Sequence, residues 1–155
     1  MTSSVDAKLA ELGITLPTPA APAANYVPFV LAGGMLFIAG QVPFGPDGKI
    51  AHIGKLGGTV SLEEGQLAAQ LCAINILAQA KAALGDLDRV KRCVKLGGFV
   101  NCVADFADHP KVVNGASDLM VAVFGDKGRH ARFAVGAPSL PFNCAVEVDA
   151  IFEVA

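Results

Sequence analysis

The sequence predicts an α+β domain: one mostly antiparallel mixed sheet of five to six strands, with two helices packed on one of its faces. Three observations lead there. Two stretches carry the 3.6-residue apolar period of helices between residues that start and stop helices. Five others alternate, or run apolar between turn residues, as strands do. Their order is hairpin, helix, strand, helix, hairpin, which segregates the helices to one side of a sheet. At 155 residues the chain fits one domain. The expected division is an N-terminal helix and arm over 1–25 and a single domain over 26–155.

A short helix is expected over Asp6–Leu12, capped by Ser3 or Ser4 and closed by Gly13, before an extended Ala/Pro arm over Pro17–Pro22. Val27–Leu31 and Met35–Ala39 read as a hairpin, because Gly33-Gly34 supplies the positive φ of a tight turn. Gly40–Val60 holds six glycines and two prolines and reads as a long loop, of the kind that often carries function. Ser61-Leu62-Glu63-Glu64 is a capping box that opens a helix running to Leu84, with Gly85 as its stop. Val90–Val103 reads as a strand with a bulge at Gly97-Gly98. Pro110 opens the second long helix, which ends at Phe124 before Gly125. Ala131–Ala137 and Asn143–Val154 are strands joined through Pro138–Phe142.

Composition narrows the function. Apolar residues make up 53% and charged residues 17% of the chain, against about 45–50% and about 25% in ordinary globular proteins. A domain of this size cannot hide that excess, so subunit interfaces are expected. The net charge is −2, with no Trp and one Tyr, which argues against a nucleic-acid surface built from a basic stripe and stacking aromatics. The one basic cluster, Arg89, Lys91, Arg92 and Lys95, reads as a solvated strand edge. The start lacks a secretory pattern and the Val27–Ala39 run is too short for a bilayer, so a cytoplasmic protein is expected. Cys72, Cys93, Cys102 and Cys144 form no C-x-x-C pair and read as buried free thiols. His52, His109 and His130 have no metal-ligand spacing, so no metal is expected.

The last two strands hold the candidate chemistry. Glu147 faces away from Val146 and Val148, and Arg132 shares a face with Ala134 and Gly136. If these strands form a hairpin, Arg132 and Glu147 lie nearly equidistant from its turn and stand close together. One reading is a cross-strand salt bridge. The other is a site in which Arg132 grips an anionic substrate, since a guanidinium fork suits a carboxylate, while Glu147 handles a proton or a water.

The segment Ala131-Arg132-Phe133-Ala134-Val135-Gly136-Ala137-Pro138-Ser139-Leu140-Pro141, followed by Val146-Glu147-Val148-Asp149-Ala150, resembles the C-terminal signature of the Rid (RidA/YjgF) family, also labelled endoribonuclease L-PSP. Ile38-Ala39-Gly40-Gln41-Val42-Pro43 resembles the same family's Ser-Gly-Gln motif. The resemblance runs from about Tyr26 to Ala155. It implies a chorismate-mutase-like fold, a homotrimer with sites between subunits, and deamination of 2-imino acids without a cofactor. It further implies that Arg132 binds the substrate carboxylate and Glu147 orients or activates water, with Tyr26, Gly40 and Asn114 lining the pocket. Ala39 and Ala134 replace a serine and a cysteine common in the family, which bears on substrate range. Two other classes stay open: a non-catalytic trimer that binds or senses small carboxylates, and, less favoured by the acidic charge, a ribonuclease.

Overall fold

The computed structural model describes residues 3–19 and 24–155. Its order is α1 (Ser4–Glu11), β1 (Phe29–Ala32), β2 (Met35–Gln41), α2 (Leu62–Leu84), β3 (Val90–Asn101), α3 (His109–Phe124), β4 (Ala131–Ala137) and β5 (Val146–Val154). The five strands form one mixed sheet in the order β1-β2-β5-β3-β4, with only the β3–β4 pair parallel. This is the predicted class, with the short N-terminal helix and both long helices present.

Local chemistry sets the helix ends. The Ser3 hydroxyl accepts from the Asp6 amide and the Ser61 hydroxyl from the Glu64 amide, each occupying a donor that helix geometry leaves free. Gly85 and Gly125, at φ of 77° and 64°, terminate α2 and α3, a conformation that costs glycine little. Gly33 and Gly34, both at positive φ, make the β1–β2 turn. α1 is tied down by the Asp88 carboxylate, which accepts from the Ser4 and Val5 amides, while Val5 and Leu9 enter the core. The arm is seen only as far as Pro19; its remainder, Ala20–Pro22, lies outside the described residues.

The core lies between the sheet and the two long helices. α2 is apolar and long enough to cross a bilayer, yet Ala68, Ala69, Cys72, Ala73, Ile76 and Leu77 are fully buried against the sheet. Val146, Val148, Ala150 and Phe152 of β5 face them, following the alternation read from the sequence. Among the described residues no helix covers the sheet's other face. Val30, Phe37, Phe99 and Val135 stand exposed on it, joined by Phe133, whose ring packs edge-on to Phe99 at 5.3 Å.

Two expectations are corrected. β4 and β5 are not a hairpin, because β3 lies between them and pairs with both. The reason is α3: a helix joining β3 to β4 makes a parallel crossover, which sets β4 directly beside β3. β5 then takes the other side of β3. Gly97-Gly98 is not a bulge either. Pairing to β4 and β5 is regular there, and the shifts lie between Val90 and Arg92 and between Cys93 and Lys95. A Cβ on Gly98 would stand 2.6 Å from Val113, and one on Gly97 would strike Phe133 and Asp149, so these glycines permit close packing. The basic cluster lies on a solvated strand edge, as read: before Lys95 the strand has no partner on its β4 side, and Lys91, Arg92 and Lys95 are exposed.

The link from β4 to β5 must cross the end of β3, and Asn101 holds it there. Its fully buried carboxamide donates to the Gly54 and Cys144 carbonyls at 3.2 and 3.0 Å and to Asn143 Oδ1 at 3.1 Å. Its own oxygen accepts from Lys55 Nζ at 2.9 Å. Replacing Asn101→Ala strands two buried carbonyls, those of Gly54 and Cys144, and is expected to cost roughly 3 kcal/mol. For a domain of this size that lowers Tm by about 6–12 °C, which calorimetry would read directly.

Candidate functional site

Arg132 and Glu147 do not meet within one chain. In register, Arg132 lies beside Leu96 and Leu96 beside Ala150, three residues beyond Glu147. Two strand spacings of about 4.8 Å and three residues of about 3.3 Å put their backbones roughly 14 Å apart. Their side chains also leave opposite faces, Arg132 toward α3 and Glu147 toward the helix-free face. The cross-strand salt bridge is therefore excluded. Among the described residues no ion pair includes either of them.

The Arg132 half is built on α3 and the edge strand β4. Arg132 Nη1 donates to Asn114 Oδ1 at 2.8 Å and to Ser117 Oγ at 3.1 Å. Asn114 and Ser117, three apart on α3, present one flank of the helix, while Val113 and Ala116 beside them are buried in the core. Both protons of Nη1 are thereby used. Nε and Nη2 keep theirs without partners among the described residues, and they form the parallel fork that matches a carboxylate. Asn114 thus stands beside Arg132 on the α3 side of β4. Ser117 and His130 were not singled out from the sequence, although the His130-x-Arg132 and Asn114-x-x-Ser117 spacings carry the signal.

The Glu147 half is built on β2 and β5. The register of that pair shifts between Ile38 and Gln41, and Gly40 at the shift lies so close that a Cβ there would stand 2.7 Å from Glu147 Oε2. Phe99 is the β3 partner of Glu147 and flanks it with an aromatic ring. Burial pushes the half-buried Glu147 carboxyl above the ordinary carboxylate range, and the neighbouring Asp149 charge pushes it further. Such a group is a better base than a solvated carboxylate. Tyr26 is 55% exposed. It lies two residues before Pro28, whose carbonyl accepts from the Ala39 amide, so the chain carries it toward the Gly40 end of β2.

The cysteines are free, as expected, although Cys102 is only half-buried and lies 3.5 Å from His109 Nε2. Burial raises the thiols of Cys93 and Cys144 to about 12 and about 11, which keeps them neutral and unreactive. No three His, Cys, Asp or Glu residues gather as a metal site among the described residues.

The comparisons with known proteins agree with this architecture. A family model described as "YjgF/chorismate mutase-like, putative endoribonuclease" matches residues 6–154. The chain belongs to the YjgF family. The match takes in most of α1, which the resemblance read from Tyr26 onward had left out. Protein TCP17 of Trypanosoma cruzi is 52% identical over 97% of this chain and 94% of its own. Among solved YjgF-like structures, Atu1372 of Agrobacterium tumefaciens, of unknown function, is 51% identical with a TM-score of 0.92, covering 98% of this chain and 93% of its own. A Shewanella oneidensis protein carrying the endoribonuclease label is 36% identical, with a TM-score of 0.94 over 98% of this chain and all of its own.

The raised Glu147 pKa has a consequence for stability. A carboxyl that binds its proton more tightly when folded stabilises the fold while protonated, and this contribution is lost as pH rises through the folded value. Glu147→Gln removes the desolvated charge, so its Tm should exceed that of wild type at pH 7. The gain should vanish near pH 4, about where an unperturbed glutamate takes up its proton. Thermal scans at the two pH values check the sign.

Proposed function

We propose that this YjgF-family protein is a hydrolase that deaminates 2-imino acids, or their enamine tautomers, to 2-keto acids and ammonia in the cytoplasm. The observation that carries the reading is the state of Arg132: fixed to α3 through one nitrogen, with its bidentate edge free for a carboxylate. An imine carbon is already electrophilic, so the protein's task is to hold the substrate and align a water. The Glu147 carboxylate accepts a proton from that water as the new C–O bond forms and passes it to the imine nitrogen, which gives a carbinolamine. The C–N bond then breaks, ammonia leaves, and the carbonyl forms. In this reading Glu147 takes the hydroxyl proton as the carbonyl forms and delivers it to the departing nitrogen.

Because the two halves leave opposite faces of one sheet, they serve one substrate only when contributed by different copies. The exposed apolar face of the sheet, with Phe37, Phe99 and Val135, supports such an assembly, and the family's usual trimer closes it with one site per boundary. Gly40 and Tyr26 belong to the Glu147 half and Asn114 to the Arg132 half. A binding or regulatory trimer would use the same arginine but has no need of a half-buried carboxylate with a raised pKa, and the net charge of −2 argues against a ribonuclease.

Imines generated in situ from amino acids by an oxidase, with semicarbazide competing for free imine, report turnover. Glu147→Gln should lower kcat by roughly two to four orders of magnitude. Arg132→Lys keeps charge but loses the fork, and should lower kcat/KM about thirty-fold to a thousand-fold. Undiminished turnover in a folded Arg132→Lys protein would overturn the reading.

Assembly is tested by light scattering, which should give about three times the chain mass of 15.8 kDa, and by mixing. Chains carrying Arg132→Lys and chains carrying Glu147→Gln, unfolded and reassembled together in equal amounts, should recover roughly a quarter of wild-type activity, the statistical share of boundaries with both native residues. No recovery would overturn the site shared between copies.

A further inference from the structure

The guanidinium of Arg132 is one end of a longer chain of hydrogen bonds. Ser117 Oγ, which accepts from Arg132 Nη1 at 3.1 Å, also lies 2.9 Å from His130 Nε2. His130 Nδ1 lies 2.6 Å from the Gly128 carbonyl. The two ends of this chain settle its direction. A carbonyl can only accept, so Nδ1 carries a proton; in the neutral ring Nε2 is then an acceptor, and the Ser117 hydroxyl donates to it. A guanidinium can only donate, so Arg132 gives its proton to the Ser117 oxygen. With the ring neutral, each member has one orientation available, and the hydroxyl is held with its lone pair toward Arg132.

The backbone is built to hold this arrangement. Gly128 is buried, and any Cβ there would strike the Met120 carbonyl and Val121 of α3. Only glycine lets this turn press onto the helix, and that pressing fixes the carbonyl on which His130 rests. Ser117 is a mid-helix serine, a residue that commonly bonds its own helix four residues back. Here its oxygen is committed to β4 and the preceding turn. A histidine that merely satisfied itself in the fold would end on main-chain groups. His130 instead spends its second nitrogen on the hydroxyl that holds the arginine.

We infer that Ser117 and His130 are positioning residues for Arg132: with Asn114 they occupy both Nη1 protons and so present the Nε–Nη2 edge to the substrate carboxylate. This rests on Arg132 being the carboxylate anchor. Neither residue touches the substrate. Their action is to keep the fork from turning, so that the order it would lose on binding is already lost.

The test uses the intact assembly, with melting and light scattering confirming each variant. Ser117→Ala should raise KM for the imino acid, and Kd for 2-oxobutanoate, roughly ten-fold, the scale of one hydrogen bond to a charged group, while kcat changes less than about three-fold. Ser117→Thr, which keeps the hydroxyl, should restore both constants. His130→Ala should give a smaller rise. Because His130 acts only through Ser117, the double variant should be no weaker than Ser117→Ala alone, a non-additivity that two independent structural roles would not produce. Unchanged KM and Kd in Ser117→Ala, or full additivity in the double variant, overturns the inference. Arg132→Lys separates this from failure of the parent reading. If it abolishes 2-oxobutanoate binding while Ser117→Ala does not weaken it, only the positioning role falls. If it leaves binding and turnover intact, the anchor itself is wrong and the inference falls with it.

Discussion

The buried carboxamide of Asn101 joins three separated stretches of chain at the point where β3 ends: the Gly54–Lys55 turn, β3 itself, and the Asn143–Cys144 approach to β5. Every position in the candidate site depends on that junction. It is what allows the chain to leave the edge strand β4, step over β3 and enter the middle of the sheet with Glu147 on the helix-free face. In a low-dielectric interior such a group is costly unless all its bonds are made, and fully made it admits one arrangement of the crossing segments. The Lys55 ammonium completes the junction by reaching both Asn101 and the Pro138 carbonyl.

Much of this was legible from local chemistry. Serine and glycine at the ends of α2, the two-residue alternation of β5 and the double glycine between β1 and β2 each report a backbone geometry that few other residues support. The faces of β4 were also read correctly, because alternation needs no knowledge of neighbours. Strand order was not legible. A Pro-rich link between two strands is compatible with a hairpin or a crossing, and what decides is whether the preceding helix makes a parallel crossover. That single undetermined step turned two residues expected side by side into residues on opposite faces. The Ser117–His130 chain was hidden for a related reason: its members are thirteen residues apart in sequence, and only the turn at Gly128 brings them together.

The glycines of this chain serve proximity more than flexibility. Gly40 lets the β2 backbone lie against the Glu147 carboxylate, Gly98 lets α3 settle on β3, and Gly128 lets the turn before β4 settle on α3. Each removes the thickness of one methyl group between layers, and each lies beside one half of the proposed site or the helix that supports it. Precision in placing Arg132 and Glu147 thus comes from backbone contact, which is stiffer than contact between side chains.

The position of β5 bears on how the molecule is made. It is the last element in the chain order and the central strand of the sheet, with β2 on one side and β3 on the other. Until it is available, β1–β2 and β3–β4 are separate two-stranded pieces with no common ladder, and the apolar face of α2 has only part of its cover. Local order can form early, but the sheet closes in one late step that joins residues more than a hundred positions apart, such as Phe37 and Ile151. Folding of this kind is slow relative to that of helical bundles. A ribosome synthesising this chain therefore exposes a long apolar helix well before the strand that completes its shelter has emerged.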